Sequence, residues 1–153
     1  MSTKTQKVVI GLAIAAVVVL VLVGFITGVA VYGWRAATRA GNEAATIQNL
    51  KTIAAVETQY FNTHNRTFGT FDHLVSEKML SSKFAGTPPV ADGYILTLSL
   101  ADKPMGSATS YTLAADPIDS DYREKHFYVD SKSDQIHVNA DRGAGPSDPV
   151  VNQ

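Results

Sequence analysis

Residues 8–33 form a run of 26 residues without a charged side chain, and this run limits what the chain can fold into. As a helix with a rise of ~1.5 Å per residue it would be roughly 39 Å long, more than the ~30 Å hydrocarbon core of a bilayer requires. Inside lipid every backbone polar group must be paired within the segment, which a helix achieves despite the many valines. The sequence therefore predicts a membrane-spanning helix over residues 8–34.

The flanks of this run indicate how the helix is anchored. Tyr32 and Trp34 stand at its carboxyl end, where amphipathic rings prefer the membrane interface, and Arg35 follows them at headgroup level. Positive charges on the two sides of the run are nearly balanced, so they signal orientation only weakly. We expect residues 1–7 to be a short tail on the inside, and the large domain to lie outside.

A cleaved secretory signal is the competing interpretation of the same run. Gly28, Val29 and Ala30 resemble a small-x-small cleavage site. The apolar core of a signal peptide is normally ~7–15 residues long, however, and this run is much longer. The length favours a retained anchor.

Gly24 and Gly28 form a GxxxG pattern within the apolar run. Two glycines four residues apart make a flat strip on which a second helix can approach closely. We expect other membrane subunits or assembly proteins to pack against this strip, in addition to the lipid bilayer itself. Ordinary glycine usage in membrane helices is the alternative.

Composition excludes several kinds of function. The chain has no cysteine, so disulfides, thiolate nucleophiles and cysteine-zinc sites are ruled out. The part of the chain after the apolar run contains 11 Lys and Arg and 14 Asp and Glu, a net charge of −3. This charge does not favour nucleic acid as a binding partner. Phosphate-binding, dinucleotide-binding and nucleophile-elbow motifs are missing from the sequence. We expect neither an enzyme nor a cofactor.

The segment after the membrane run continues as an amphipathic helix. At ~100° per residue, Leu50, Ile53 and Tyr60 fall on one apolar half of residues 47–61, which predicts a helix packed against another layer. Glu57 lies near the middle of that apolar half. A buried carboxylate must be paired, hydrogen-bonded or protonated. We interpret Glu57 as a structural group that caps loop amides or pairs with a cation; a functional carboxylate is the alternative.

The remaining pattern predicts a short helix and about four strands. The helix is expected at 71–80, and the strands at 93–101, 110–116, 126–130 and 135–139, the last two as a hairpin. Residues 141–153 lack a core-forming pattern and are expected to be a flexible tail. The predicted fold class is α+β, with one long helix packed on an antiparallel sheet and a head domain spanning residues 35–140.

Two groups of side chains come closest to a metal site. His126 and His137 lie on the two arms of the predicted hairpin and would face each other in one register, although one residue of slip separates them. Asp130 and Asp134 offer oxygen ligands in the connecting turn, but Lys132 lies between them and the EF-hand spacing is absent. We expect strand-surface histidines and ordinary turn chemistry, and no bound metal.

Several motifs stand in a characteristic order along the soluble part of the chain. The helix stretch Asn42–Ile53 reads NEAATIQNLKTI and is followed by Tyr60, and the segments GY at 93–94, YTLAADP at 111–117 and FYVD at 127–130 come after it. These motifs and the order of elements resemble the type IV pilin and type II secretion pseudopilin superfamily, and the helix stretch is similar to a motif of short bacterial pilin-like proteins. The resemblance covers roughly residues 35–140.

The chain departs from this family at its processing site. Pilins carry a glycine before the prepilin peptidase cleavage point and a glutamate a few residues after it. The resemblance places these positions at Ile10 and Ala15, where neither residue is present. The resemblance therefore implies a single-pass protein of the bacterial inner membrane with an extracytoplasmic head, related to a pilus or secretion assembly. The alternatives are a cell-surface filament subunit and a membrane-tethered binding module outside any filament.

Overall fold

The computed structural model describes residues 3–101, 110–118 and 124–151. The chain divides into two compact units, Met1–Thr38 and Arg39–Gln153. Helix α1 runs from Thr3 to Thr63 and contributes to both. Within the described residues of the first unit α1 is the sole element, and its described large apolar side chains, among them Val8, Phe25 and Trp34, are exposed. In the part of the chain that is described, one helix is long and apolar enough to cross a membrane.

The second unit is a layer of helix on an antiparallel sheet, as the predicted fold class requires. After α1 come α2 (Phe71–Ser76), a single 3₁₀ turn (Ser82–Phe84), and the strands β1 (Val90–Ala91), β2 (Tyr94–Ala101), β3 (Ser110–Pro117), β4 (His126–Asp130) and β5 (His137–Asn139). The strand order is β1-β2-β3-β4-β5, and each strand pairs antiparallel with its neighbours. The described sheet thus has five strands, where the sequence predicted about four.

The core lies between the last part of α1 and the inner face of the sheet. Leu50 and Ile53 of α1 are completely buried, as are Leu96 of β2 and Leu113 of β3. These are the alternate positions of each strand and one stripe of the helix, which is the pattern that a helix-on-sheet layer buries. The helical wheel correctly assigned Leu50, Ile53 and Tyr60 to the buried stripe.

Helix α1 ends where the backbone turns left-handed. Asn65 and Arg66 have φ values of 52° and 59°, and the N–H of Arg66 donates to the carbonyl of Phe61 at 3.1 Å. Asparagine tolerates this conformation better than most residues, and the turn satisfies carbonyls that the helix leaves unpaired. Thr70 then caps α2, since its side chain accepts a hydrogen bond from the N–H of His73.

Several predicted boundaries were wrong, and one strand was missed. Strand β3 ends at Pro117 instead of 116, and β5 begins at His137 instead of 135. Helix α2 ends at Ser76, not near residue 80, because Lys78 has a φ of 60° and cannot continue a helix. The strand predicted from residue 93 begins at Tyr94, and a two-residue strand before it was missed. Asp92 and Gly93, with φ values of 50° and 83°, form the tight connection between β1 and β2.

The segment after β5 pairs with the sheet as far as Val151, in contrast to the flexible tail predicted over 141–153, of which residues 152–153 lie outside the described residues. The N–H of Val138 donates to the carbonyl of Pro149, and the N–H of Val151 donates to the carbonyl of Ile136, both at 2.8 Å. Val150 forms an antiparallel bridge with His137. The segment therefore continues the sheet beyond β5 as far as Val151.

Candidate functional site

Among the described acidic and basic residues, Glu57 is the most deeply buried. It lies on the core stripe of α1, where the helical wheel placed it, and its side chain has no exposed surface. Its Oε2 accepts a hydrogen bond from the backbone N–H of Gly69 at 2.9 Å, which holds the loop after α1 against the helix. The carboxyl group thus acts as a capping acceptor for a loop amide.

Gly69 suits this position because no side chain fits there. A Cβ atom on Gly69 would lie 2.9 Å from Cδ2 of Leu74 and 3.3 Å from Cδ1 of Tyr60. Leu74 is itself completely buried, so its methyl group has little room to move away. Close packing of the loop brings the Gly69 amide within reach of Glu57.

The second oxygen of Glu57 has no partner among the described residues. The Tyr111 hydroxyl and the Thr46 hydroxyl are likewise buried without a hydrogen bond at acceptable geometry. Burial raises the pKa of Glu57 from 4.5 to about 7, and the hydrogen bond from Gly69 opposes that rise. At neutral pH the folded protein therefore contains both protonated and ionised Glu57.

Two buried tyrosines, Tyr60 and Tyr111, also have a raised pKa. Burial raises the pKa of Tyr111, and the carboxylates of Asp134 and Glu57 add to the effect. The Tyr60 ring stacks on His64 with a centroid separation of 3.8 Å, and burial also raises the pKa of Tyr60. Within the described residues no second carboxyl or imidazole is hydrogen-bonded to Glu57, so the geometry lacks a general acid–base pair.

A polar cluster that the sequence analysis missed joins α1 to the β1–β2 turn. The Asn49 amide donates to Oδ2 of Asp92 at 2.8 Å, and Lys83 contacts both Asp92 (2.6 Å) and Asn49 (3.1 Å). Hydrogen bonds from Lys83 and then Asn49 lower the pKa of Asp92 below its usual value. The Asp-Gly pair at 92–93 was the available signal, since that dipeptide is typical of tight hairpin turns.

The two candidate histidines do not face each other across the hairpin. His126 pairs with Asn139 and His137 pairs with Tyr128, so the histidines occupy different rungs of the ladder. His126 Nδ1 lies 2.6 Å from a carboxylate oxygen of Asp116. His137 is buried, with Nδ1 2.7 Å from the carbonyl oxygen of Asp148.

The two candidate aspartates belong to the turn between β4 and β5. Oδ1 of Asp130 accepts hydrogen bonds from the N–H groups of Lys132 (2.9 Å) and Ser133 (3.0 Å). Burial acts to raise the pKa of Asp130, but these hydrogen bonds outweigh it and the pKa is lower than usual. Asp134 is exposed, and its N–H donates to the Asp130 carbonyl. Across the described ranges no three metal-ligating side chains converge.

The membrane candidates lie in the first unit. Tyr32 and Trp34 are 78% and 72% exposed, and Arg35 is exposed beside them. A Cβ atom added at Gly24 or at Gly28 would meet nothing within 4 Å, so the glycine strip is an open surface of the helix. Such a strip can receive a second helix at short distance.

A cleft of 430 Å³ lies on the second unit beside β2. Its apolar walls include Phe71 of α2, Pro88 of the preceding loop and Leu98 of β2, and Asp72 is the one charged residue among its described lining.

Comparisons of the chain with protein-family models, with curated proteins and with solved structures give no match. The proposed function therefore rests on the fold and on these surfaces.

Proposed function

We propose that the chain is a membrane-anchored structural protein of the pilin-like class, acting through non-covalent contacts. The observation that carries the proposal is the chemical division of a single helix. Residues 8–34 of α1 are apolar and their described large side chains are exposed, whereas the stripe from Thr46 to Tyr60 is buried against an antiparallel sheet. An exposed apolar surface of this length suits lipid, and a one-sided helix suits a sheet.

The residues at the expected processing site favour a standing membrane protein over a filament subunit. Ile10 occupies the position at which related pilins have glycine, and Ala15 the position of their glutamate. Without that carboxylate the apolar helix has no partner for a neighbour's charged terminus. We place the protein in the bacterial inner membrane, with its sheet domain outside the cytoplasm, as a component or relative of a type IV pilus or type II secretion assembly.

Extraction and protease protection test the anchoring. The protein should remain in the membrane pellet after alkaline carbonate treatment, because about 26 apolar residues give strong insertion. Protease added outside spheroplasts should digest residues 39–153 and leave a protected peptide from residues 8–34. Release by carbonate, or full protection of the sheet domain, would contradict the proposal.

The glycine strip gives the proposed lateral partner a specific test. Replacing Gly24 and Gly28 together by leucine should reduce cross-linking to neighbouring membrane helices several-fold, because leucine side chains hold the backbones apart. Gly11→Leu is the matched control, since Gly11 is also open in α1 but lies outside the GxxxG pair. Equal cross-linking in the two variants would show that Gly24 and Gly28 are not a packing surface for a neighbouring helix.

A membrane-tethered binding module is the second candidate function. The cleft beside β2 favours it, because a structural head needs no apolar recess. The two functions differ in what is lost when the cleft is blocked. A binding module loses its ligand and keeps its place in the membrane, whereas a purely structural protein is unaffected.

A further inference from the structure

Among the described residues, strand β2 lacks a pairing partner on one edge over most of its length. On the side opposite β3, β1 pairs with only Tyr94 and Ile95, and the N–H of Leu96 donates to the carbonyl of Pro89 at 2.9 Å. From Thr97 to Ala101, no described residue provides a backbone partner on that side. Within the described part of the chain, five consecutive residues of β2 thus have no backbone partner on this side.

The alternation of an antiparallel ladder identifies the free groups. Leu96 directs its N–H toward β1, and residues two apart along a strand direct their backbone groups to the same side. Leu98 and Leu100 therefore present their N–H and C=O groups on the open edge. Removing the N–H of Leu98 or of Leu100 breaks no hydrogen bond to β3, because the residues that alternate with them along β2 make the hydrogen bonds to β3.

This edge lacks the protection that exposed strand edges normally carry. Residues 97–101 read TLSLA, without a charge or a proline. The opposite side of the sheet differs, because the segment ending at Val151 lies along β5 and pairs with it. One edge is thus covered by the chain itself, and the other is open and uncharged.

The cleft adjoins this open edge and adds side-chain recognition. Leu96 and Leu98 of β2 line the cleft, and Phe71 and Pro88 add further apolar surface to its lining. Asp72 is exposed and supplies the single negative charge among the described lining residues. A fitting ligand has apolar groups spaced like alternate residues of a strand, together with a positive charge near Asp72.

We propose that the open edge of β2, residues 97–101, binds an extended segment of a second protein as an added strand. Main-chain groups of that segment pair with Leu98 and Leu100, its alternate apolar side chains enter the cleft, and a basic residue lies near Asp72. Strand addition of this kind takes affinity from backbone hydrogen bonds and specificity from pockets for alternate side chains.

A second copy of this chain suits the site less well than a different polypeptide. Strand β2 of a second copy reads YILTLSLA and brings no basic residue to Asp72. The negative charge of Asp72 therefore favours a different polypeptide that carries a basic residue beside its apolar positions.

A synthetic peptide of sequence KVTVTVK, blocked at both ends, is the probe. It is titrated into the isotope-labelled full chain in lipid nanodiscs and followed by amide chemical shifts. A peptide residue directly opposite Leu98 has its side chain on the same face of the sheet and its N–H toward β2. We expect shifts and slowed exchange at Leu98 and Leu100. N-methylation of the peptide's valines should weaken binding roughly tenfold or more, because it removes the pairing donors.

Leu100 provides matched protein variants. Leu100→Pro removes a free donor from an edge strand without removing a bond to β3, so the fold should persist while peptide binding falls roughly tenfold. Leu100→Ala keeps the N–H and should bind within a few-fold of the unmodified chain. Asp72→Asn should weaken binding of KVTVTVK and leave binding of QVTVTVQ unchanged.

Three results would overturn the proposal. The first is no shift at residues 96–100 with peptide up to about 1 mM, the range expected of weak strand addition. The second is binding that survives valine N-methylation or Leu100→Pro. The third is concentration-dependent pairing of Leu98 and Leu100 between copies of the chain without peptide. Insertion into nanodiscs is measured separately, so a failure of membrane anchoring is distinguishable from a failure of peptide binding.

Discussion

The backbone N–H of Gly69 donates to Oε2 of Glu57 across 2.9 Å, joining a loop to the core stripe of α1. The other carboxylate oxygen has no hydrogen bond from any described residue. One donor offsets only part of the cost of burying a charge. The pair therefore holds the loop in place and makes the stability of the domain sensitive to pH.

The first prediction concerns that sensitivity. The pKa of Glu57 is about 7 in the folded chain against an ordinary 4.5, so between these values the folded state binds more protons than the unfolded state. The contribution of Glu57 to the free energy of unfolding is largest below pH 4.5. It is lost as the pH rises through 7, a decrease of about 3 kcal/mol in total. Glu57→Gln should remove this loss.

Urea unfolding of the two proteins from pH 4 to 8 measures the effect. The free energy of unfolding of the wild type should fall relative to Glu57→Gln across this range. Asp141→Asn, which removes an exposed carboxylate, should follow the wild type. Parallel curves for the wild type and Glu57→Gln would show that the pKa of Glu57 is the same in the folded and the unfolded chain, and would contradict the prediction.

The second prediction concerns the packing of Gly69. Gly69→Ala introduces a methyl group 2.9 Å from Cδ2 of the buried Leu74, so the loop must shift and the Glu57 hydrogen bond must lengthen. We expect a loss of about 1–3 kcal/mol in thermal or chemical unfolding. Gly143→Ala is the control, since its new methyl group meets Asp116 at an ordinary 3.8 Å. Equal stability of the two variants would contradict the close packing.

The third prediction tests the cluster that joins α1 to the β1–β2 turn. Asn49→Ala removes a donor to Asp92 and an acceptor for Lys83, and we expect it to cost about 1–2 kcal/mol of unfolding free energy. Gln48→Ala changes the adjacent exposed residue and should be nearly neutral. Asp92 should also titrate below its usual range by NMR, and a normal titration would count against the cluster.

The fourth prediction concerns the segment that covers β5. Val151→Pro removes the N–H that bonds to Ile136, and we expect a loss of about 1 kcal/mol with faster amide exchange at Val138. Val150→Pro is the matched control, because the bonds to β5 are made by the residues on either side of it. If both variants exchange alike at Val138, the segment does not pair as described.

Periodicity predicted the parts of the fold that repeat regularly. The buried stripe of α1, with Glu57 inside it, and four of the strands were all readable from spacing. The partner of Glu57 was not, because Gly69 meets it through a loop whose course depends on tertiary packing. The pairing of the last residues was hidden by the turn-rich stretch before them, although Val150 and Val151 were a faint strand signal.

The open edge of β2 is likewise invisible in the sequence. The residues TLSLA at 97–101 read as an ordinary strand, and only the two-residue length of β1 leaves them unpaired among the described residues. The missed Asp-Gly turn fixes the end of β1 that joins β2, and Pro88 and Pro89, which have no N–H, precede its other end at Val90. A correct turn assignment would have located β1, but not the cleft beside it.

The most direct test of the proposed function is the N-terminal sequence of the native protein, taken separately from the inner membrane and from sheared surface fibres. The proposal predicts that the protein is recovered in the membrane fraction and keeps the peptide that contains Lys4 and Lys7, ahead of Ile10. A chain that begins near Gly11 and pellets with the fibres would contradict it, because that chain would be a processed filament subunit.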